Sequence, residues 1–323
     1  MRNLKSNKKI VVIGGGTGVY TVLTGLRPHF DNLTAIVTMA DDGGSTGVLR
    51  EEFGILPPGD VRRALVALSA SDNKMLSELF SYRFQEGSGL TGHSFGNLML
   101  TALERLTGNF ENAIEEAGKI LVTYGKVVPV TLQRPRLFAE LESGEVVKGE
   151  NNINIPRHDG NLKIKRAWLK PAAAINPRAK KAILEADAVV LCPGDLYTSL
   201  VPNLLVRGMN EALKNTKAKV IYFTNLMTKF GETAHFRSSD FIRVVSDYVG
   251  KDVLDYVVVN SAKPKPRRLS GYIKERSDFV EPDFENFKAL KIKAVPIKAD
   301  LIRTRGFLRH DPEKVARAIR MII

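Results

Sequence analysis

The sequence predicts an α/β fold: a Rossmann-like, doubly wound and mainly parallel sheet with helices on both faces and a β-rich excursion. Three observations lead to this prediction. Short β-branched runs alternate with helical patterns, the first run stops abruptly in glycine, and polar residues recur where the predicted strands end. Since open α/β sheets bind ligands at the carboxyl ends of their strands, the pattern also predicts where a site should lie.

The first element is a buried strand, residues 8–13, that delivers a glycine loop to the start of a helix ending before Pro28. The loop comprises Gly14, Gly15, Gly16, Thr17 and Gly18. Backbone N–H groups at such a helix start favour an anion, and glycine lets a phosphate oxygen approach the backbone. Against the fingerprint G-x-G-x-x-G, Val19 occupies the third glycine position, and no Walker lysine follows. We expect a phosphate-binding loop, with a tight turn as the alternative.

The second predicted strand, residues 33–39, runs into another glycine-rich loop. Its candidate binding residues are Asp41, Asp42, Gly43, Gly44 and Ser45. Because strands one and two are neighbours in a doubly wound sheet, both loops should face one crevice. The two carboxylates can bind ribose hydroxyls or hold a divalent cation that bridges phosphates. A turn and helix cap is their alternative role.

The next two helices begin at polar loops. Asp60 is expected to cap a helix that continues through residues 64–70. His93 and Asn97 lie among glycines before a predicted helix over residues 98–106, which suits ligand recognition. For His93 a purely structural role is an equal alternative.

From residue 120 to 168 the helical spacing gives way to alternation. Short strands are predicted at 126–133, 136–142 and 145–149, and one more follows the polar segment 157–166. No linker rich in proline, glycine or serine isolates this stretch. We therefore expect a single α/β domain over 1–323. In it, residues 1–119 and 169–323 form the nucleotide-binding core, and residues 120–168 form the β-rich excursion.

The α/β rhythm then returns. Strands are predicted at 187–192, 219–224, 255–260 and 292–297. Helices are predicted at 177–185 and after the segment 193–199, through residue 213. Asp195 and Asn225 follow the first two of these strands, as the earlier polar residues do. A closing helix begins near Asp311, with a first-turn proline after its cap.

The composition excludes several classes of protein. With one cysteine, Cys192, the chain can form neither an intrachain disulfide nor a multi-cysteine zinc site. No apolar run reaches the roughly 18 residues of a membrane span and no signal-peptide core follows the polar start, so we expect a cytoplasmic protein without membrane insertion. The net charge is +13, but no nucleic-acid-binding motif accompanies the one basic cluster at 263–268. We expect an anionic small ligand rather than a specific nucleic acid.

No His-Glu-x-x-His motif is present. What remains is a set of glycine loops, aspartates and asparagines at strand ends. They indicate recognition of a nucleotide or a sugar nucleotide and leave catalysis open.

Six ordered motifs resemble those of the YvcK family, the gluconeogenesis factors in the superfamily of CofD, the 2-phospho-L-lactate transferase. The motifs lie at 14–18, 41–47, 58–60, 92–97, 193–199 and 224–228. The resemblance implies a cytoplasmic bacterial protein that binds UDP-sugars, notably UDP-N-acetylglucosamine. It also implies a link between gluconeogenic carbon metabolism, cell-wall synthesis and cell shape, with no established enzymatic activity.

The resemblance places Gly15, Gly16 and Thr17 at the ligand's phosphates. It places Asp41, Asp42, Asp195 and Asn225 elsewhere in the same crevice, and the three aspartates are also candidate Mg²⁺ ligands. Tyr272 and Arg309 are similar to family residues that contact the UDP-sugar, with Arg305 as an alternative to Arg309. No residue is assigned a catalytic role. A homo-oligomer and a regulatory serine/threonine kinase are further partners that this interpretation allows.

Two other functions stay open. A CofD-like enzyme would transfer a phospholactyl group from a nucleotide-activated donor, with Mg²⁺ on Asp41, Asp42 or Asp195. An NAD-dependent oxidoreductase would place the pyrophosphate on Gly14 and Gly16. NAD could also occupy such a crevice adventitiously, without redox chemistry.

Overall fold

The computed structural model describes residues 5–70 and 74–323, and its fold is the predicted α/β fold. The main sheet has seven strands, all paired in parallel. In chain order these strands are β1 (Ser6–Gly14), β2 (Phe30–Val37), β3 (Lys126–Pro129), β7 (Ala188–Leu191), β8 (Lys219–Phe223), β9 (Tyr256–Asn260) and β10 (Val295–Ala299). A second, antiparallel sheet consists of β4 (Arg136–Leu141), β5 (Val146–Lys148) and β6 (Ile164–Lys170).

Helices connect and cover the strands. They are α1 (Gly16–Leu26), α2 (Gly44–Phe53), α3 (Pro58–Leu68), α4 (Lys74–Ser81), α5 (Phe95–Thr107), α6 (Phe110–Leu121), α7 (Glu150–Asn154), α8 (Pro177–Leu184), α9 (Val201–Leu204), α10 (Met209–Asn215), α11 (Ser238–Val249), α12 (Pro266–Leu269) and α13 (Pro312–Ile322). Helix α1 packs against α3 and α13, whereas α10 packs against α8 and α11. Among the described helices, none is both long and apolar enough to cross a membrane.

The strand order β10-β9-β8-β7-β1-β2-β3 places β1 at the centre of the sheet. The chain proceeds from β1 to β2 and β3 on one side and then returns to build β7 through β10 on the other. The order therefore reverses between β1 and β7. Ligands in open α/β sheets bind at such a switch point, outside the carboxyl ends of the strands.

Burial explains why these runs form central strands. Residues 10–14 of β1 and all four residues of β7 are buried. Parallel strands covered by helices on both faces read as continuous apolar runs rather than alternating ones. The β-branched sequence of β1 satisfies that requirement, and its predicted place as the first strand of the core is confirmed.

The structure corrects three predicted elements. The strand expected at 126–133 is β3, which ends at Pro129 and pairs with β2 in the main sheet, so the excursion begins only after it. A π-helical turn (Leu196–Leu200) precedes the helix expected after 193–199 and through residue 213. That helix is divided into α9 and α10, because Gly208 has a left-handed φ of +92°. The last strand lies at Val295–Ala299 rather than 292–297, because its pairing with β9 begins only at Val295, opposite Tyr256.

Candidate functional site

A crevice of about 360 Å³ lies at the switch point. Three strand-end segments and the start of α3 form it. The strand-end segments are the β1–α1 loop, the β2–α2 loop and the segment after β7. Helices α5 and α7 contribute further side chains. Strand pairing explains the assembly, because Gly14 at the end of β1 lies beside Val37 of β2 and Ile13 lies beside Leu191 of β7.

The crevice brings together most of the residues predicted from the sequence. Those on its walls are Gly15, Gly16, Thr17, Gly18, Asp41, Gly43, Gly44, Ser45, Asn97 and Asp195. Four other predicted residues do not line the crevice but lie next to residues that do. Gly14 precedes Gly15 in the chain, and the other three form hydrogen bonds with lining residues: Asp42 with Asn151, His93 with Ser45, and Asn225 with Gly194. Tyr272 and Arg309 are not on the walls.

The glycine loop approaches the end of β7 very closely. A Cβ on Gly18 would lie 1.6 Å from the carbonyl oxygen of Pro193, so only glycine fits this position. Gly16 begins α1 with a left-handed φ of +57°. The first-turn N–H groups of a helix have no partner within the helix, and residues 16–18 at the positive end of α1 line the crevice. The loop thus has the geometry of an anion site.

Asp60 lies directly beneath this loop. The sequence predicted it as a helix cap, which is wrong: α3 begins at Pro58, and the Asp60 carboxylate makes no capping bond. Instead, Asp60 Oδ1 accepts a hydrogen bond from Gly16 N at 2.9 Å. Burial and the nearby charge of Asp41 raise the pKa of Asp60 to about 6, against the opposing effect of Arg63. Asp60 therefore shapes the loop and sets its local charge.

The β2–α2 loop forms the facing wall. Asp41 Oδ1 accepts the N–H of Gly43 at 2.9 Å, so the turn considered as its alternative role is present. The same side chain lines the crevice, and burial raises its pKa. Asp42 turns away from the crevice, where its Oδ1 accepts the N–H of Asn151 at 2.9 Å. One aspartate of the pair is thus available to a ligand and the other fastens α7.

The three predicted Mg²⁺ ligands do not form a preassembled metal site. Within the described part of the chain, no three aspartate, glutamate, histidine or cysteine side chains could together hold a metal ion. Asp42 accepts a hydrogen bond from Asn151, and Asp195 belongs to the segment after β7.

Glu232 supports the segment that contains Asp195. It accepts hydrogen bonds from the Tyr197 N–H and the Thr198 hydroxyl at 2.8 Å each. Burial and the charge of Asp195 raise the pKa of Glu232 to about 8.

Three arginines at the crevice were not predicted from the sequence. They are Arg62, Arg63 and Arg83. Arg63 lies beside the glycine loop, since a Cβ on Gly16 would be 3.4 Å from its Nη1. Arg62 Nε donates to Asn97 Oδ1 at 3.1 Å, and burial lowers the pKa of Arg62 to about 10. Arg62 and Arg63 lie two and three residues after Asp60 of the Pro-Gly-Asp motif. This position beside a predicted motif is the sequence feature that could have indicated that they belong to the site.

His93 contacts the site through Ser45. Its Nδ1 lies 3.0 Å from Ser45 Oγ, which also accepts a hydrogen bond from Asn97 Nδ2 at 3.3 Å. Ser45 lies in the first turn of α2 and lines the crevice. The structure therefore joins the two polar loops predicted at 41–47 and 92–97 in one hydrogen-bonded group.

Helix α7 supplies a wall that the sequence did not predict. In the chain it follows β5 and precedes β6 of the antiparallel sheet. Three of its residues, Glu150, Asn151 and Asn154, line the crevice. Glu150 is only 9% exposed, and burial together with neighbouring carboxylates, Asp41 first among them, raises its pKa to about 9. The polar run Glu-Asn-Asn-Ile-Asn at 150–154 is the sequence feature that could have indicated this wall of the crevice.

Asn225 supports the segment after β7 from the end of β8. Its Nδ2 donates to the carbonyl of Gly194 at 2.6 Å. The C-terminal segment is attached at the same strand end, because His310 Nε2 donates to the Thr224 carbonyl at 3.1 Å. The predicted Tyr272 accepts the Leu308 N–H with its hydroxyl at 2.8 Å.

Tyr272 and Arg309 therefore belong to a separate group of contacts. The guanidinium of Arg309 lies 5.6 Å from the ring centre of Phe307, within the same C-terminal segment. Arg268 fastens that segment by donating to the carbonyls of Arg303 and Gly306. Neither Tyr272 nor Arg309 lines the crevice in this structure.

Comparisons with known proteins agree with these features. The family model described as 2-phospho-L-lactate transferase CofD matches residues 10–300. Similar proteins include the gluconeogenesis factors of Halalkalibacterium halodurans and Listeria innocua, each 41% identical to this chain. The alignments cover 97% and 98% of this chain, respectively, and 95% of each relative. A crystal structure from Bacillus halodurans superimposes with a TM-score of 0.92 at 40% identity, and the match covers 98% of this chain and 100% of the other.

Proposed function

Since this chain belongs to the CofD family and to its gluconeogenesis factors, we propose that the crevice binds a UDP-sugar, with UDP-N-acetylglucosamine as the leading candidate. The protein would act as a cytoplasmic regulator that links gluconeogenic carbon metabolism to cell-wall synthesis and cell shape. Binding without turnover is sufficient for that role.

The observation that carries the proposal is the pairing of an anion-binding loop with arginine at the switch point. First-turn N–H groups of α1 and the guanidinium of Arg63 face the same space beside Gly16. Two adjacent phosphates need several donors within a few ångströms, which a helix start and an arginine supply together. A diphosphate fits this arrangement better than an uncharged ligand.

The rest of the crevice suits neutral polar groups. Asp41, Glu150 and Asp195 would repel a phosphate, but their oxygens can accept hydrogen bonds from hydroxyl groups. The crevice thus separates into an anion-binding end and an acidic, hydroxyl-binding end. A nucleotide sugar has both chemistries in one molecule.

Magnesium is compatible with the proposal only as part of the complex. Asp41 and Asp195 are carboxylates of the kind that Mg²⁺ accepts, and the remaining ligands would be phosphate oxygens and water. Such an ion would neutralise phosphate charge next to Asp60. We propose no step that depends on it.

Isothermal titration calorimetry with UDP-N-acetylglucosamine tests the proposal. Arg63→Ala should weaken binding by about tenfold or more, because a charge-assisted hydrogen bond contributes about 1.5–3 kcal/mol. Thr17→Val tests the loop itself, since it removes one hydroxyl and keeps the side-chain shape. Arg267→Ala is the matched control, because it removes the same charge from the exposed helix α12. The absence of any binding heat from folded wild-type protein would contradict the proposal.

A second candidate function is CofD-like group transfer, and the Ser45–His93 contact favours it. With a nucleotide-activated donor bound, an acceptor hydroxyl would give its proton to Ser45 Oγ, and Ser45 would pass its own proton to His93. The acceptor oxygen would attack phosphorus in the same step, and a nucleoside monophosphate would leave. Release of UMP or GMP from activated donors, with and without a flavin-like acceptor, distinguishes transfer from binding. His93→Gln should abolish release while retaining donor binding. Binding without acceptor-dependent release would exclude this second function.

A further inference from the structure

Helix α7 carries two buried polar groups whose hydrogen-bonding capacity the folded chain does not use. Glu150 lines the crevice and is 9% exposed, and its carboxyl group has no hydrogen bond within residues 5–70 and 74–323. Asn154 also lines the crevice, and its Oδ1 is buried without a partner in the same part of the chain. Leaving the buried Asn154 oxygen without a partner costs about 1–3 kcal/mol.

These two groups lie side by side. Residues four apart on a helix share one face, so the side chains of Glu150 and Asn154 project in the same direction from α7. The helix itself is held firmly against the β2–α2 loop, because Asp42 accepts the Asn151 N–H. A Cβ on Gly43 would lie only 3.2 Å from Asn151 Oδ1, so no space remains between the two segments. The unpartnered pair is therefore a fixed feature of the wall and not a loose surface helix.

The neighbouring charges restrict what can bind there. Glu150 is surrounded by Asp41, Asp42 and Asp60, which disfavour the approach of a phosphate. An apolar group would leave both side chains unsatisfied. A hydroxyl group is uncharged and both donates and accepts a hydrogen bond, so it satisfies a carboxyl and an amide oxygen equally well.

We propose that α7 recognises hydroxyl groups of a sugar ring in the ligand, with the Glu150 carboxyl and the Asn154 amide as its hydrogen-bonding groups. This inference rests on the proposed binding of a UDP-sugar, and it gives the antiparallel sheet β4-β5-β6 a function. In that sheet β4 and β5 pack against α7, which follows β5 in the chain, and thereby complete the crevice. The ring is either the ribose of the nucleotide or the attached hexose, and both present neighbouring hydroxyls.

Calorimetric titrations of wild type, Glu150→Ala and Asn154→Ala with three ligands test the proposal. The ligands are UDP-N-acetylglucosamine, UDP and 2′,3′-dideoxy-UDP. If α7 contacts the hexose, both variants should lose about fivefold or more in affinity for UDP-N-acetylglucosamine and keep their affinity for UDP. If α7 contacts the ribose, the variants should lose affinity for UDP and for the UDP-sugar but not for 2′,3′-dideoxy-UDP, which has neither ribose hydroxyl. Either pattern supports the proposal.

Asn152→Ala is the matched control. Asn152 lies on the same helix but is exposed, and its amide donates to the carbonyl of Lys148, so its removal should leave all three affinities unchanged. Equal losses for all three ligands in the α7 variants, or no loss, would overturn the proposal. Wild-type protein that binds none of the ligands would overturn the proposed function, and this inference with it. If Glu150→Ala does not fold, the affinities of Glu150→Gln and Asn154→Ala for the same three ligands are compared with those of wild type.

Discussion

Replacing Asp60 by asparagine should stabilise the unliganded protein at neutral pH. Asp60 is held beneath the glycine loop by its bond to Gly16 N, and it lies close to the like charge of Asp41. Asparagine has the same shape, and its Oδ1 can still accept the Gly16 N–H. The substitution therefore removes the charge and leaves the geometry of the loop in place.

The magnitude follows from the pKa of Asp60. Burial raises this pKa from 3.8 to about 6, and one pH unit corresponds to about 1.4 kcal/mol. The folded state therefore binds more protons than the unfolded state between pH 3.8 and about 6, so stability falls as the pH rises through that window. Above it, the full cost of about 3 kcal/mol is present. Since asparagine also weakens the bond to Gly16 by about 1 kcal/mol, we expect a net gain of about 1–2 kcal/mol at pH 7.5.

Urea denaturation of both proteins at pH 4, 5, 6 and 7.5 provides the test. Taking the difference between wild type and Asp60→Asn cancels the titration of the carboxyl groups that do not interact with Asp60. Asp255→Asn is the matched control, because Asp255 also accepts a backbone N–H, that of Val220 at 2.9 Å, but lies far from the crevice next to Lys293. The control should lose stability at pH 7.5. A variant Asp60→Asn that is less stable than wild type at pH 7.5, or whose difference from wild type is the same at pH 4 and 7.5, would refute the reasoning.

Two further predictions concern the supports of the crevice. Gly18→Ala should lower the free energy of unfolding by about 3 kcal/mol or more in urea titrations, because its Cβ would lie 1.6 Å from the Pro193 carbonyl oxygen. Gly44→Ala should cost only about 1 kcal/mol, since its Cβ meets no atom within 4 Å and only the left-handed φ of +46° is unfavourable; equal costs would contradict the packing argument. Burial lowers the pKa of His310 from 6.5 to about 4, so wild type should lose up to about 3 kcal/mol of stability as the pH falls through that window. His310→Gln should flatten this acid dependence in pH-dependent urea titrations, and an unchanged slope would show that His310 is not its source.

The sequence was sufficient to predict the anion-binding end of the crevice because that end depends on local patterns and one topological rule. A β-branched run that ends in glycine predicts a strand and a helix start at residues 14–18, and parallel pairing brings the loop at 41–45 beside it. The segment after β7 joined them for the same reason. These contacts follow from strand order alone.

The roles of Asp60, Glu150 and Asn154 in the crevice could not be predicted because they depend on contacts between distant segments. Asp60 has the sequence context of a helix cap, and only the packing of α3 under Gly16 gives its carboxylate another partner. Glu150 and Asn154 lie inside an excursion whose strands were predicted, but the five-residue helix among them has no periodicity to detect. Gly208 similarly interrupts a helix that the apolar pattern alone would continue.

A crystal structure of the protein with UDP-N-acetylglucosamine would test the proposed ligand and its orientation most directly. We expect the diphosphate on the backbone N–H groups of residues 15–18 beside Arg63, and a sugar ring against Glu150 and Asn154. A nucleotide bound outside this crevice, or one whose phosphates lie against Glu150 and whose sugar rings lie on the glycine loop, would contradict the assignment.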